Sequence, residues 1–249
     1  MVRTDWYKEF FTGAAVEFWS GIVPDEHTEN EVELIIDELQ LSPNDHVIDI
    51  PCGNGRHAVL LAEQGFSVTA VDLSQEFVDR AQQRATEYGV TVNVVKSDMA
   101  EFVTPNPAKG AYCLGNSFGY LEYDRLQAFL RNTANSLMPG ARFLIDATSA
   151  AECLLPSFQD HDWYEMGSMK MLLENSYDPV MGALETHYTF IRDGQEVETR
   201  TSLHRVYTAA EIRRMLQAAG LIVVHLLGST DGEVFELGSP QMYIVAEKI

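Results

Sequence analysis

The stretch VIDIPCGNGRHA, residues 47–58, decides the fold of this chain. An apolar run leads into Gly53-x-Gly55-x-x-Ala58, a glycine spacing typical of a strand that turns into a helix where backbone amides approach a ligand. Dinucleotide-binding proteins use the same spacing. Here, however, Asp49 stands at the end of the strand. The stretch therefore predicts a strand–turn–helix unit with a ligand at the turn, and the neighbouring residues must identify that ligand.

Strands and helices alternate downstream of this stretch. The predicted strands cover residues 46–50, 67–73, 91–99, 111–117 and 142–149. Ser74 is placed to cap the helix after the second strand, and Pro139-Gly140 to end the helix before the fifth. This alternation favours an open parallel sheet with helices on both of its faces.

The remainder of the chain follows a different pattern. Residues 168–207 predict three antiparallel strands, with Asp193-Gly194 as a hairpin turn. Thr208 and Glu211 form a capping box at the start of a helix, and two more strands follow. Because no linker separates these parts, we expect a single domain, residues 1–249, in which residues 150–207 are a small antiparallel β insertion.

Composition narrows the classes of function. The formal net charge of −20 and the absence of a Lys/Arg run argue against a nucleic-acid partner, because such binding begins with a basic surface. No apolar stretch reaches membrane-spanning length, and we see no secretory signal, so we expect a cytoplasmic protein without a membrane partner. Three cysteines without metal-binding spacing predict reduced thiols and no metal site.

Two acidic residues bear on the ligand at the glycine turn. Asp72 ends the second strand, 19 residues after Gly53, where a carboxylate accepts hydrogen bonds from a ribose diol. Asp49 would repel a pyrophosphate, by about 4 kcal/mol per unit charge at ~4 Å and an effective dielectric constant of about 20. An adenosyl ligand with an ammonium and a sulfonium group reverses that sign. Together the two residues favour a cationic adenosyl ligand over NAD.

A third acid follows the third predicted strand. Asp98 can accept a hydrogen bond from an adenine amino group, with Met99 against the ring. One acid after each of the first three strands is the pattern that a cationic ligand bearing adenosine requires.

These motifs resemble those of a known family. VIDIPCGNGRHA, AVDLS, KSDM and CLGNSFGYL are similar to class I S-adenosylmethionine-dependent methyltransferases, above all to the bacterial small-molecule group whose turn reads D-x-x-C-G-x-G-R-H. The resemblance covers about residues 44–150 and extends more loosely to the last helix and strands. It implies a Rossmann-like, doubly wound α/β fold with a mostly parallel seven-stranded sheet whose last strand is antiparallel.

The resemblance also implies roles for individual residues. S-adenosylmethionine would be the cofactor, and the acceptor would be an N, O or C atom of a small molecule. Each part of the cofactor is assigned its own residues: Asp49, Pro51, Cys52, Gly53 and Gly55 for the methionine moiety, Asp72 and Leu73 for the ribose, Ser97, Asp98 and Met99 for the adenine, and Asn116 and Ser117 near the methyl group.

Two further segments are expected to complete the site. N-terminal helices in residues 1–40 would cover the cofactor, with Tyr7, Phe11 and Trp19 lining it, and aromatic faces suit a sulfonium. The 150–207 insertion would form a substrate lid and could make a homodimer interface, so monomer and homodimer both stay open. If the acceptor must lose a proton, the candidate bases are His204, His187 and Tyr207.

Several alternatives stay open at this stage. An NAD(P)-dependent oxidoreductase is favoured only by the glycine spacing, and a protein that binds an adenosyl ligand without catalysis would share every cofactor residue. Cys52 is more easily explained by packing than by a nucleophilic role. Arg56 and His57 could form a surface helix start, or Arg56 could order the N-terminal segment or meet a carboxylate.

Overall fold

A seven-stranded sheet forms the centre of the computed structural model, which describes residues 3–249. Its strands are β1 (His46–Asp49), β2 (Ser67–Asp72), β3 (Asn93–Lys96), β4 (Ala108–Cys113), β5 (Leu137–Asp146), β10 (Leu221–Leu227) and β11 (Tyr243–Lys248). Their order is β10-β11-β5-β4-β1-β2-β3. β1 to β5 run parallel, and β11 is antiparallel to both of its neighbours. The predicted fold class is confirmed.

Eight α-helices accompany the strands within the described residues. They are α1 (Tyr7–Phe10), α2 (Gly13–Gly21), α3 (Asp25–Glu38), α4 (Arg56–Glu63), α5 (Gln75–Glu87), α6 (Tyr123–Ser136), α7 (Ala151–Leu154) and α8 (Ala209–Ala218). Ser74 accepts a hydrogen bond from the Phe77 amide at the start of α5, and Thr208 with Glu211 forms the capping box of α8. No helix in residues 3–249 is long and apolar enough to cross a membrane.

Alternating residues of the parallel strands supply two separate cores. Ile48, in β1, belongs to the core on one face of the sheet, and its neighbour Val47 belongs to the core on the other. Successive strand residues point to opposite faces, so a strand covered by helices on both sides must be apolar at nearly every position. This explains why the consecutive residues Ala111, Tyr112 and Cys113 of β4 are all buried, with Tyr112 in one core and its two neighbours in the other.

The insertion forms a four-stranded antiparallel sheet, not the three-stranded one that the sequence predicts. Its strands are β6 (His161–Met166), β7 (Met169–Asp178), β8 (Ala183–Arg192) and β9 (Gln195–Arg205), in that order. β6 escaped prediction because it is an exposed edge strand with no alternation of buried and exposed residues. The turn at Asp193-Gly194 joins β8 to β9 as expected.

The fifth parallel strand also begins earlier than predicted. β5 starts at Leu137, and Pro139-Gly140 lies inside it instead of separating it from α6. The pairing of β4 with β5 shifts register between Ala108 and Gly110, which accommodates the irregular start.

Candidate active site

A cleft with about 980 Å³ of open space lies at the carboxyl ends of β1 to β4. Open α/β sheets bind ligands at this edge. The cleft is lined by four groups of residues: Tyr7, Phe11, Trp19 and Val23 from the N-terminal segment, 51–54 with Arg56 and His57 from the glycine turn, Val71, Asp72, Leu73, Ser74, Phe77, Ser97, Asp98 and Met99 from the next two units, and Leu114, Gly115, Ser117 and Tyr120 after β4.

The glycine turn brings backbone close to the cleft. Gly53 and Gly55 have φ values of 53° and 73°, in the left-handed region that favours glycine. Gly53 lines the cleft, but Gly55 does not. A Cβ on Gly55 would lie 3.0 Å from the Ala81 Cβ, so this glycine is needed for the close packing of α4 against α5. The two glycines therefore have different tasks, only one of which concerns the ligand.

Asp72 is fixed at the end of β2 by backbone amides. Its Oδ2 accepts a hydrogen bond from Gly53 N at 2.9 Å, and its Oδ1 accepts one from Ser74 N at 2.8 Å. Burial raises the pKa of Asp72 to about 6, although the backbone amides of Ser74, Gly53 and Leu73 oppose the shift. The carboxylate lines the cleft with lone pairs available for further donors, as a ribose diol would require.

Asp49 lies behind the glycine turn and does not line the cleft. Its side chain is buried, and its Oδ2 has no hydrogen-bond partner within the described residues. Burial raises its pKa well above the usual range, and the Tyr112 hydroxyl and the Arg56 charge only partly counter this. A nearby cation favours the ionised form of such a carboxylate. A cationic ligand in the cleft would therefore lower the pKa of Asp49 and be attracted by the resulting charge, without the direct contact that the sequence analysis expects.

Asp98 lines the cleft beyond β3, and its carboxylate is already engaged. Its Oδ1 accepts a hydrogen bond from Ala100 N at 2.9 Å, and its Oδ2 lies 2.6 Å from Nη2 of Arg125, in α6. Burial raises the pKa of Tyr7, and the Arg125 guanidinium opposes that shift through its charge and a hydrogen bond. Ser97 and Met99 line the cleft beside Asp98. This end of the cleft is therefore tied to both α6 and the N-terminal segment.

The two residues predicted in the loop after β4 differ in whether they reach the cleft. Ser117 lines the cleft, whereas Asn116 does not. The Asn116 side chain donates a hydrogen bond to Ser149 Oγ at 2.7 Å and accepts one from Ser149 N at 2.9 Å. The positive φ of Asn116, 58°, turns its side chain toward that neighbouring loop. We therefore correct the expectation that Asn116 lies beside the methyl group.

The N-terminal helices cover the cleft with aromatic side chains. Tyr7, Phe11 and Trp19 all line it, as expected from the sequence. The backbone of this segment is held at two points, because the Ser74 hydroxyl donates to Phe11 O at 2.7 Å and Glu198 Oε2 accepts from Ala14 N at 2.7 Å. The segment thus bridges the start of α5 and the insertion.

None of the three candidate bases lines the cleft. His187 is exposed on the outer face of β8 and contacts Thr201. His204 is buried behind Tyr120, 4.9 Å between ring centroids, and burial lowers its pKa to about 4. Burial raises the pKa of Tyr207 to about 12. The sequence could not show which face of β8 and β9 turns inward, and the structure places Tyr188 and His204 on that inward face.

Arg56 and His57 join the glycine turn to α3. Arg56 Nη1 lies 2.5 Å from Glu31 Oε2 and donates a hydrogen bond to Thr28 Oγ1 at 2.9 Å. His57 Nε2 lies 3.0 Å from the same Glu31 oxygen. Burial and then the Arg56 charge lower the pKa of His57 to about 4, so the imidazole is neutral and donates this bond. Burial alone would raise the Glu31 pKa, but the His57 bond and the Arg56 charge outweigh it and lower the pKa to about 2.

Several lining residues were not assigned to the cleft from the sequence. Tyr120 belongs to the quoted GNSFGYL loop, and its ring lies against Phe11, with 5.8 Å between centroids. Phe77 lies 5.5 Å from the same Phe11 ring. Both residues come shortly after a predicted strand, at the edge of the sheet where the ligand was expected. Their position in the sequence could therefore have indicated that they line the cleft. Cys52 lines the cleft but is no nucleophile, because burial raises the pKa of its thiol well above the usual value.

The donor set of the cleft fits S-adenosylmethionine. Asp72 can accept from the ribose, Asp49 Oδ2 has no hydrogen-bond partner within residues 3–249, and aromatic side chains of the N-terminal segment line the same cleft. A pyrophosphate in the same position would meet the buried carboxylates of Asp49 and Asp72. The charge of the site thus favours a sulfonium cofactor over a dinucleotide.

Comparison with known proteins agrees with this chemistry. The model of the methyltransferase domain family matches residues 47–140. The chain is 28% identical over 207 residues to cypemycin N-terminal methyltransferase of Streptomyces sp, covering 81% of this chain and 82% of that protein. It is 26% identical over 254 residues to glycine/sarcosine N-methyltransferase of Halorhodospira halochloris, covering 98% and 91%. The structure of CalS10 with bound SAM, an amino pentose methyltransferase from Micromonospora echinaspora, superposes with a TM-score of 0.72 at 16% identity, covering 96% of this chain and 98% of that one.

Proposed function

We propose, from the premise that this chain belongs to the class I S-adenosylmethionine-dependent methyltransferases, that its acceptor atom is the amino nitrogen of a small molecule. The reaction is an in-line displacement: the nitrogen lone pair forms a bond to the methyl carbon, the carbon–sulfur bond breaks, and S-adenosylhomocysteine leaves. The sulfonium is already activated, so positioning and exclusion of water supply most of the rate enhancement.

The single observation that carries the proposal is that the described residues lining the cleft include no histidine, cysteine or tyrosine suited to act as a base, and that the two lining carboxylates, Asp72 and Asp98, are those assigned to the cofactor. Burial and then the Arg56 charge lower the pKa of His57 to about 4, and burial raises the pKa values of Cys52 and Tyr120. His204 and His187 lie outside the lining. A hydroxyl acceptor needs a base to become a good nucleophile, whereas a free amine already presents a lone pair.

The walls of the cleft support an amine in a second way. Phe11, Trp19 and Tyr120 contribute aromatic faces, which attract an amine or the ammonium ion formed on methylation. The charged residues that line the cleft are the carboxylates of Asp72 and Asp98 and the guanidinium of Arg56. Negative charge therefore predominates. Such a surface disfavours an anionic acceptor.

The names of two relatives support the same acceptor atom. One is a cypemycin N-terminal methyltransferase, and the other is a glycine/sarcosine N-methyltransferase. Their matches extend beyond the methyltransferase domain into the insertion, which we propose to serve as the lid of the acceptor site. Similarity in this part supports a shared type of acceptor atom.

We assign the cofactor along the cleft as follows. Ser97, Asp98 and Met99 hold the adenine, Asp72 and Leu73 hold the ribose, and Pro51, Cys52 and Gly53 approach the methionine moiety. Ser117 then lies near the methyl group, and the sheet β6–β9 serves as the acceptor lid. The enzyme would act on free small molecules in the cytoplasm, as a monomer or homodimer, and its charge of −20 disfavours nucleic acid.

Labelled methyl transfer tests the proposal. The purified protein is incubated with S-adenosylmethionine that carries a trideuterated methyl group and with a protein-free extract of small metabolites, and mass spectrometry identifies the labelled products. We expect the label on amine nitrogen. A panel of amines, each paired with the matching alcohol, then measures kcat/KM for both members of a pair.

The control is Asp72→Ala, which should reduce labelling at the same protein concentration when S-adenosylmethionine is kept below saturation, because the variant binds the cofactor more weakly. Label found only on oxygen or carbon would contradict the amine assignment while leaving the methyltransferase reaction intact. Tight cofactor binding without transfer to any metabolite would instead favour a binding protein without catalysis.

A further inference from the structure

Arg56 presents an unoccupied face to the cleft. Both of its protein contacts, with Glu31 and Thr28, are made by Nη1. The other two guanidinium nitrogens, Nε and Nη2, make no hydrogen bond to any residue in 3–249, and neither is sealed off from solvent. A guanidinium fixed through one nitrogen and open at the other two is prepared to receive a planar anion.

The position of Arg56 identifies which anion can reach it. Arg56 lines the cleft from the end of the glycine turn, two residues after Asn54, whereas Asp98 and Met99 line the part that follows β3. With adenine beside Asp98 and ribose on Asp72, the amino-acid moiety of the cofactor extends toward the glycine turn. The carboxylate of that moiety is the only anion that S-adenosylmethionine carries.

The surroundings of Arg56 are suited to a carboxylate. Arg56 is the first residue of α4, whose N-cap, Gly55, offers no side-chain cap, and the positive end of the helix dipole adds to the guanidinium charge. Glu31 neutralises part of that charge, but it does not line the cleft, and His57 also binds it, with 3.0 Å between Nε2 and Oε2. His57 is neutral, because burial and then the Arg56 charge lower its pKa to about 4, so it does not compete for the anion.

We propose that Arg56 binds the carboxylate of the methionine moiety of the cofactor through Nε and Nη2, while Nη1 keeps the glycine turn anchored to Glu31 and Thr28 of α3. Cofactor binding then acts on α3 directly, because one guanidinium contacts both. This assignment adds to the cofactor chemistry and does not depend on the nature of the acceptor.

Two ligands that differ only by the carboxylate test the proposal. Calorimetry compares S-adenosylhomocysteine with its decarboxylated analogue, which keeps the adenosine, the sulfur and the amine. The wild-type protein should bind the decarboxylated analogue roughly 10- to 100-fold more weakly, the range expected for lost hydrogen bonds between charged groups. Equal affinity for the two ligands would overturn the proposal without any variant being made.

Variants then assign the effect to Arg56. Arg56→Gln should weaken S-adenosylhomocysteine by a similar factor and leave the decarboxylated analogue nearly unchanged, which also demonstrates that the variant is folded. Arg56→Lys, which keeps the charge without the planar fork, should give an intermediate loss. If Arg56→Gln weakens both ligands equally, Arg56 only supports the turn and the proposal is wrong.

Discussion

The indole Nε1 of Trp6 donates a hydrogen bond to the carbonyl oxygen of Leu203 across 2.9 Å and thereby joins the N-terminal segment to the last strand of the insertion. Arg200 reinforces this connection, because its Nη2 donates to Thr12 Oγ1 at 3.1 Å. The Trp6 ring also contacts Tyr120, which lines the cleft. The N-terminal segment, the loop after β4 and the insertion are thus parts of one connected structure.

Trp6→Phe should loosen this connection. The aromatic packing is largely kept, but the Leu203 carbonyl loses its donor, so we expect a loss of about 1 kcal/mol in the free energy of unfolding. Hydrogen exchange in residues 3–22 should accelerate, and urea denaturation measures the stability. Trp163→Phe is the matched control, because Trp163 is 56% exposed and should tolerate the change. Equal effects of the two substitutions would contradict the role of Trp6.

Gly119→Ala tests the contact between the loop after β4 and the end of β9. A Cβ on Gly119 would lie 2.7 Å from Arg205 O, a backbone atom that cannot move alone. We expect a destabilisation of about 1–3 kcal/mol, as for an overpacked interior. In Gly21→Ala, by contrast, the nearest atoms belong to the flexible Met166 side chain, so stability should hold or rise. A Gly119→Ala variant with wild-type stability would show that the loop docks differently.

Glu31→Gln tests the polar connection beneath the glycine turn. The substitution removes the charge that pairs with Arg56 inside a buried site, so we expect a cost of roughly 3 kcal/mol at neutral pH. The folded-state pKa of Glu31 is lowered to about 2, so its stabilisation is fully present above the unfolded value of 4.5 and is lost as the pH falls toward 2. The stability gap between wild type and variant should therefore shrink in acid.

Urea denaturation at several pH values measures that gap. Glu29→Gln, on the exposed side of the same helix, is the control and should show no gap at any pH. A difference between wild type and the Glu31→Gln variant that stays constant down to about pH 3 would show that Glu31 is not held ionised by its partners.

The raised pKa of Asp72, about 6, predicts opposite effects of pH on binding and on stability. Ribose hydroxyls donate to the ionised carboxylate, so the affinity for S-adenosylhomocysteine should fall as the pH drops below about 6, by at most roughly tenfold per pH unit. The stability of the protein without ligand should change with pH in the opposite direction. Because the pKa is raised on folding, the Asp72 contribution to stability is full below the unfolded value of 3.8 and is lost as the pH rises through about 6.

Calorimetric titrations between roughly pH 5 and pH 8 measure the affinity for S-adenosylhomocysteine. Urea denaturation of the ligand-free protein over the same pH range measures its stability. Asp72→Asn serves as the control, since its weaker binding should not depend on pH in this window. Affinity that is constant for the wild type across the window would mean that the Asp72 carboxylate does not bind the cofactor.

The features that the sequence predicted best are those that depend on residues close to one another in the chain. Asp72 ends a buried strand, Ser74 caps the next helix and the Gly53 turn lies between them, so their positions follow from residues close in sequence. The five parallel strands follow in the same way from repeated strand–helix units, whereas the seven-stranded sheet with its antiparallel strand followed from the family resemblance. The aromatic residues Phe11 and Trp19 were placed in the cleft from the family resemblance.

Contacts between distant residues could not be predicted. Arg125 meets Asp98, and Glu31 meets His57, only because separate helices pack on the sheet. Asn116 carries the expected polar side chain, but its positive φ turns it toward Ser149. His204 is a candidate base by residue type, yet burial lowers its pKa to about 4, which makes it a weak base, and its ring lies against Tyr120 outside the lining of the cleft. Each of these outcomes depends on tertiary packing that a single sequence does not specify.

One calorimetric measurement tests the central claim most directly. The purified protein is titrated in parallel with S-adenosylmethionine, S-adenosylhomocysteine and NAD. We expect both adenosyl-sulfur ligands to bind one molecule per chain, NAD to give no binding signal, and Asp72→Ala to weaken S-adenosylhomocysteine by about 1–3 kcal/mol. Binding of NAD without binding of either adenosyl-sulfur ligand would contradict the assignment of the cleft to S-adenosylmethionine.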